Sequence, residues 1–168
     1  MNAQTRVPAA DRPSDLSSRL LRAGLLTGVS DGLFASVAAI AFGSNPVRLF
    51  QGVASTLIGP SALQGGTPMA LVGVLMHFVT AFWWSAVFLV LLARVPSVRR
   101  VHESSNGAVK IASVYGPFIW LVMSLAVIPV LTRRPPVISS RWWVQFLGHA
   151  PFVGFPIAWG TRRSLAHP

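Results

Sequence analysis

The sequence predicts an all-α integral membrane protein: a bundle of four membrane-spanning helices with an extra short amphipathic helix between spans 1 and 2. Three observations lead to this prediction. The chain is 52% hydrophobic and 11% charged, whereas soluble domains usually carry about 25% charged residues. It contains four apolar stretches of spanning length. Its 14 Lys and Arg, against four Asp and Glu, lie mostly between or beside those stretches.

This composition excludes several classes of protein. A disordered chain would be less hydrophobic, and a disulfide scaffold needs cysteine, which is absent. The absence of cysteine also excludes a thiolate metal site and a cysteine nucleophile. We expect no nucleic-acid partner, because no soluble basic domain or recognition motif is present. Hydrolase, phosphate-loop and Rossmann signatures are also absent.

The predicted elements follow in order along the chain. Residues 1–19 are polar and are expected to form a mobile cytoplasmic tail rather than a cleaved signal. Helices rising about 1.5 Å per residue over each apolar stretch would cross a hydrocarbon core of ~30 Å. Residues 161–168 form a second cytoplasmic tail. The predicted spans are approximately residues 20–42, 68–93, 108–131 and 142–160.

The segment 46–59 differs from the four spans. Ser44 and Asn45 precede Pro46, a combination typical of a capped helix start. The segment is too short to span, and Arg48 lies on its polar stripe. It is therefore predicted to be an amphipathic helix that is interfacial or re-entrant.

The distribution of Lys and Arg predicts the orientation. Ten of the 14 lie in or beside the two tails and the connection between spans 2 and 3, including Arg22 and Lys110 at the edges of spans, and four lie on the other side. By the positive-inside rule both termini are cytoplasmic. The partners expected from this placement are the lipid bilayer and the anionic headgroups of its lipids. A ridge of small residues on the first span predicts close helix packing, either within the chain or in a homo-oligomer: Gly24, Gly28, Gly32 and Ser36.

Three polar residues inside the spans are the candidate site. Asp31 is the only acid within a span, and a carboxylate there is costly unless it is paired. His77 and His149 lie at similar predicted depths, so the three are expected to form an intramembrane cluster. Hydrogen bonding between helices and a functional role both remain open for it. Supporting polar residues are Gln51, Gln145 and Tyr115.

No residue is assigned as catalytic. No metal site is assigned either, although His77 and His149 could each supply one ligand to a haem iron or a divalent metal. One ligand per helix, with no paired-histidine motif, is a weak signal. We therefore expect no cofactor, with haem as an alternative.

One set of motifs extends over about residues 20–160: Gly28, Asp31-Gly32, Gln51–Ser55, Gly59, Gly65-Gly66, Gly73, His77-Phe78, Tyr115-Gly116, Met123, Val127–Pro129 and Gly154–Ala158. This set resembles a family of uncharacterised bacterial four-span inner-membrane proteins. The chain differs from that pattern at Thr56, where a glycine is usual, and in a more basic loop at residues 132–141. A second set consists of His77, Pro135-Pro136, Trp142, Gly148-His149 and Arg162-Arg163. It is more distantly similar to YagU-type membrane proteins.

The resemblance implies a multi-pass protein of the bacterial inner membrane, but it does not imply any catalysed reaction. The leading expectation is a small non-enzymatic membrane factor, with a link to envelope or acid stress implied by the distant similarity. The first alternative is a proton-coupled carrier or channel using Asp31. The second is a haem- or quinone-binding membrane protein using His77 and His149.

Overall fold

The computed structural model describes residues 13–162. Every regular element in that range is a helix, which confirms the all-α prediction. Three helices are long and apolar enough to cross a membrane: α1 (Pro13–Ala41), α3 (Gly66–Arg94) and α5 (Gly107–Thr132). The first three predicted spans therefore correspond to helices of spanning length.

The shorter helices connect or follow these three. Helix α2 (Pro46–Ile58) is capped by the Asn45 side chain, which accepts a hydrogen bond from the Arg48 amide at 2.9 Å. A 3₁₀ turn (Pro60–Gln64) leads into α3, and α4 (Pro96–Glu103) connects α3 to α5. The fourth predicted span corresponds to α6, residues 140–160, which is interrupted and is not among the helices of spanning length. The count of four spans thus stays a prediction.

Both α5 and α6 contain a wide π turn, at Met123–Val127 and Ala150–Gly154. Each turn is followed within two residues by a proline, Pro129 in α5 and Pro156 in α6. A proline ring collides with the carbonyl four residues earlier and donates no hydrogen bond to it. Widening the preceding turn relieves that collision, and such turns bend helices.

The first helix begins earlier than the sequence predicts. Residues 13–19, assigned above to a mobile tail, form the first turns of α1. Pro13 suits the first helical position, and Asp15 in the first turn favours the positive end of the helix dipole. Residues 1–12 and 163–168, the remainder of the two predicted tails, lie outside the described residues.

The small-residue ridge of α1 packs against α3 of the same chain. A Cβ atom added at Gly24 would collide with the ring of Phe82, and one at Gly28 with the ring of Phe78. Ser36, at the end of the ridge, donates a hydrogen bond to the Gly32 carbonyl at 2.7 Å. Within this chain the ridge therefore brings α1 and α3 into contact, as small residues do in membrane helix packing.

Two other helix crossings also depend on a missing side chain. Gly73 of α3 lies so close to the Phe50 carbonyl of α2 that a Cβ would overlap it. Gly116 of α5 stands in the same relation to the His149 carbonyl of α6. Backbone atoms cannot move aside as a flexible side chain can. Glycine at these two positions therefore allows α2 to pack closely against α3, and α5 against α6.

A set of side chains binds the last turn of α6, and we call it the clamp: Arg19, Arg22 and His102. Arg19 donates from Nε to the Thr161 carbonyl at 2.7 Å. Arg22 donates from Nε to the Gly160 carbonyl at 2.8 Å and from Nη2 to the Arg162 carbonyl. His102 donates from Nε2 to the Ala158 carbonyl at 2.8 Å. The clamp therefore satisfies the carbonyls that a helix end leaves unpaired.

Candidate functional site

Asp31 and His77 form an ion-pair contact between α1 and α3. The Asp31 Oδ2 atom lies 3.9 Å from the His77 Nδ1 atom, and the two side chains are only 18% and 14% exposed. The contact is possible because the α1 ridge admits α3 closely at Gly28 and Phe78. At this distance the two groups attract each other when charged, yet the contact is longer than a hydrogen bond.

A backbone contact determines the orientation of the His77 ring. Its Nε2 atom lies 2.9 Å from the Gly28 carbonyl. A carbonyl only accepts, so Nε2 carries the hydrogen and donates it. In the neutral ring the Nδ1 atom, which faces Asp31, therefore presents a lone pair. This nitrogen can take up a proton beside the carboxylate.

His149 is held in a corresponding way on α6. Its Nδ1 atom donates to the Gln145 carbonyl at 2.7 Å, so Nε2 presents the lone pair in the neutral ring. The ring is buried, and its centroid lies 4.7 Å from that of Trp120. His149 immediately precedes the π turn at Ala150–Gly154, which sets the direction in which its helix continues.

The structure brings Asp31, His77 and His149 to the wall of one cavity of about 280 Å³, which we call the Asp31 cavity. Residues of both π turns contribute to it, so the bends in α5 and α6 help to form the space. The remaining lining residues are Thr27, Val53, Thr56, Leu57, Met76, Thr80, Ala81, Trp84, Ile119, Trp120, Met123, Val127, Ile128, Leu131 and Val153.

The Asp31 cavity also collects unsatisfied polar atoms. Among residues 13–162, four buried side-chain atoms lack a hydrogen-bond partner: Thr27 Oγ1, Asp31 Oδ1, Trp84 Nε1 and Trp120 Nε1. All four belong to residues that line this cavity. Buried polar groups are nearly always paired in proteins, and each orphan costs about 1–3 kcal/mol. The residues that carry all four atoms therefore meet at one space.

The supporting polar residues serve the fold instead. Gln51 donates to the Gly66 carbonyl at 2.9 Å, which joins α2 to the start of α3. Tyr115 donates to the Trp84 carbonyl at 2.9 Å and belongs to the apolar core between α3, α5 and α6. The Gln145 carbonyl orients His149. None of these three residues lines the Asp31 cavity.

Three residues that bring an unpaired polar atom to the cavity lining were not among the sequence candidates: Thr27, Trp84 and Trp120. Thr27 precedes Asp31 by one helical turn, and Trp84 follows His77 by two turns, so helical spacing places them on the same faces. Trp120 lies near the middle of α5. Tryptophan in membrane proteins is enriched at the membrane interfaces. A tryptophan near the middle of a predicted span is therefore unusual, and this position could have marked Trp120 as a candidate.

In the described part of the chain, no group of three or more His, Cys, Asp or Glu side chains is arranged to hold a metal ion. Comparison with known proteins finds no matching family model, curated protein or solved structure. The site geometry therefore carries the functional argument.

Proposed function

We propose that this protein is a non-enzymatic membrane factor that binds a small molecule in the Asp31 cavity and links its binding to the position of a proton shared by Asp31 and His77. One observation carries the proposal: every buried side-chain atom without a hydrogen-bond partner, within the described residues, belongs to a residue that lines that cavity. A purely structural cluster would pair such atoms with one another. Here they point to a partner that is not part of the chain.

The orphan atoms define the chemistry of the occupant. The two indole nitrogens of Trp84 and Trp120 only donate, so the occupant needs an acceptor such as a carbonyl or hydroxyl oxygen. The ionised Asp31 carboxylate only accepts, so the occupant also needs a donor. The Thr27 hydroxyl serves as either. A compact group with a hydroxyl on an apolar body meets all of these needs.

A proton exchange accompanies such binding. Moving one proton between Asp31 Oδ2 and His77 Nδ1, across 3.9 Å, converts a neutral pair into an ion pair. An occupant bonded to Asp31 Oδ1 contacts the same carboxyl group, so it distinguishes the two states. Binding and the position of the shared proton are then linked in both directions.

The cavity is accessible at its α2 side. Leu57 of α2 and Leu131 of α5 both line it, and they are 65% and 47% exposed. In a membrane, exposed leucines at the mouth would face lipid. We infer that the occupant enters from the bilayer side between α2 and α5.

The membrane arrangement in this proposal has four spans, α1, α3, α5 and α6, with α2 at the outer interface and both termini cytoplasmic. The ten-to-four division of Lys and Arg supports it. The π turns and prolines in α6 are compatible with a span because protein neighbours surround the freed backbone groups. The resemblance to bacterial four-span inner-membrane proteins suggests that location.

A proton-coupled carrier using Asp31 is the second candidate function. The observation that favours it is the protonatable pair at the wall of an open cavity. Haem is less compatible, because about 280 Å³ is below the usual range of roughly 300–1,000 Å³ for sites of drug-sized ligands. A quinone ring is compact, and its oxygens would accept hydrogen bonds from the indoles.

Phenol and benzene test the binding proposal. The two share a ring, but only phenol has a hydroxyl for the orphan atoms. We expect phenol to raise the melting temperature of the purified protein more than benzene, and the difference to disappear in Asp31→Leu. Thr27→Val, which keeps side-chain shape, should reduce it. Equal effects of phenol and benzene on the wild-type protein would contradict the proposal.

Proton flux separates the two candidate functions. Wild-type protein and Asp31→Asn are reconstituted in liposomes that enclose a pH-sensitive dye, and a pH step is applied with and without phenol. A carrier gives proton flux that depends on phenol and is absent in Asp31→Asn. A binding factor gives none in either protein, while the phenol effect on wild-type melting persists.

A further inference from the structure

A second cavity, of about 800 Å³, lies at the clamp end of the molecule and shares no lining residue with the Asp31 cavity. We call it the arginine cavity. Its walls come from the start of α1, the end of α3, helix α4, the connection between α4 and α5, and the end of α6. Four arginines line it, Arg19, Arg22, Arg99 and Arg162, against one acid, Glu103.

The arginines have two different roles. Arg19 and Arg22 bind carbonyls at the end of α6, so their positions are determined by the clamp. Arg99 is exposed, and the Arg162 guanidinium lies 5.6 Å from the centre of the Trp159 ring. Within residues 13–162, no carboxylate forms an ion pair with Arg99 or Arg162. These two are therefore the groups positioned to bind an anion.

Apolar and polar surfaces meet in this cavity. Leu89, Leu92 and Ala93 line it from the last turns of α3, and Leu16 does so from α1. Ser104, Ser105 and Asn106, between α4 and α5, also line it and carry hydroxyl and amide groups. The cavity therefore combines a cationic part with an apolar wall formed by the ends of two helices of spanning length.

We propose that the arginine cavity binds an anionic phosphate ester, with the phosphate on Arg99 and Arg162 and the attached apolar part against α3. Guanidinium groups pair with phosphate through two parallel hydrogen bonds, which makes arginine well suited to this ligand. The apolar wall favours the headgroup of a membrane phospholipid as the source. A soluble phosphate ester shares the same chemistry and is the other source.

The positive charge near this cavity does not by itself specify a site, because cytoplasmic loops are basic in most membrane proteins. The control variant must therefore remove the same amount of positive charge at positions that do not line the cavity. Arg94 and Arg100 provide it, since both are exposed and neighbour the cavity in sequence, but neither lines it. R94Q/R100Q removes the same charge as R99Q/R162Q.

The experiment measures retained lipid. Purified wild-type protein and both double variants are equilibrated with equal amounts of phosphatidylglycerol and phosphatidylcholine, and bound lipid is counted by native mass spectrometry. We expect wild-type protein to prefer phosphatidylglycerol. The preference should fall about tenfold in R99Q/R162Q, the loss expected for a charged pair, and less than about twofold in R94Q/R100Q.

A parallel arm tests the source of the phosphate. Glycerol phosphate is added to protein in neutral detergent, and its effect on melting temperature is compared between the same variants. Retention of phosphatidylglycerol without an effect of glycerol phosphate identifies a lipid site, and an effect of glycerol phosphate that R99Q/R162Q removes identifies a soluble ester. Equal losses in both double variants, or no binding in either arm, would overturn the proposal.

A variant that retains the charge helps to distinguish a lost phosphate contact from misfolding. Arg99→Lys preserves the cation but not the paired hydrogen bonds, so its preference for phosphatidylglycerol should lie between those of wild-type protein and R99Q/R162Q. Circular dichroism of each variant checks the helix content. A loss in R99Q/R162Q that accompanies lost helix content, while Arg99→Lys equals the wild-type protein, would contradict a specific phosphate contact.

Discussion

The Asp31 cavity and the clamp differ in whether their buried polar groups have hydrogen-bond partners. At the clamp, the buried side chains Arg19 and His102 each bond to a carbonyl of the last turn of α6 or the residue after it. At the cavity, Asp31 Oδ1 and three other buried atoms have no partner among the described residues. Among the described residues, the clamp side chains find hydrogen-bond partners within the chain, and these four cavity atoms do not.

This difference should appear in the stability of the protein. A satisfied polar network holds elements together, and removing one member leaves others unpaired. A buried polar group without a partner instead lowers the free energy of unfolding, because it has lost its hydrogen bonds to water. We therefore expect substitutions at the clamp to reduce stability and substitutions of the unpaired groups in the cavity to leave it unchanged or raise it.

The largest effect is expected for Arg22→Ala. This change leaves the carbonyls of Gly160 and Arg162 without the donor that Arg22 supplies. Hydrogen bonds from charged groups contribute about 1.5–3 kcal/mol each, so the free energy of unfolding should fall by roughly 3 kcal/mol or more. Denaturant titration in detergent micelles measures it. Arg100→Ala is the matched control, and an equal loss there would show that charge, not the clamp, is responsible.

The next effect concerns the α2 wall of the Asp31 cavity. Gly73→Ala places a Cβ against the Phe50 carbonyl and should cost about 1–3 kcal/mol, as overpacking does. Gly52→Ala is the paired control on α2, where a Cβ meets nothing within 4 Å. It should stabilise the helix by about 0.5–1 kcal/mol. Opposite shifts in melting temperature are expected, and shifts of the same sign would contradict this packing.

A smaller effect is expected at the cavity itself. Asp31→Leu removes an unpaired buried oxygen and a 3.9 Å contact with His77, so the free energy of unfolding should change by less than about 1 kcal/mol or increase. The same denaturant titration as for Arg22→Ala allows direct comparison. A loss as large as at the clamp would mean that Asp31 is structural glue.

The smallest effect is a pH dependence at the clamp. Burial lowers the pKa of His102 below its ordinary value of 6.5, with the hydrogen bond to Ala158 opposing the shift. As the pH falls through 6.5, the unfolded chain binds a proton that the folded protein resists. Stability should therefore decline below that pH.

His102→Gln keeps a donor for the Ala158 carbonyl and removes the titration. Melting temperatures measured from pH 7 to pH 5 should fall less in this variant than in the wild-type protein. Parallel curves for the two proteins would show that His102 does not contribute to the acid sensitivity.

Much of the architecture was readable from residue patterns. The first three apolar stretches became helices of spanning length, and Asn45 caps α2 as its position before Pro46 predicted. The start of α1 was misplaced because hydropathy marks the apolar part of a helix and not its polar first turns. Arg19 lies in those turns, and its side chain donates a hydrogen bond to the carbonyl of Thr161, far along the chain. Hydropathy does not indicate such a contact.

The sequence by itself determined the helical class, the apolar lengths and the presence of one acid and two histidines inside apolar stretches, because these depend on local composition and spacing. Only the tertiary structure decided that Thr27, Trp84 and Trp120 join Asp31 around one cavity, and that none of their orphan atoms finds a partner among residues 13–162. Whether a polar atom is satisfied depends on atoms from distant helices. Those distances follow from the glycine crossings and π turns, whose combined geometry no local pattern encodes.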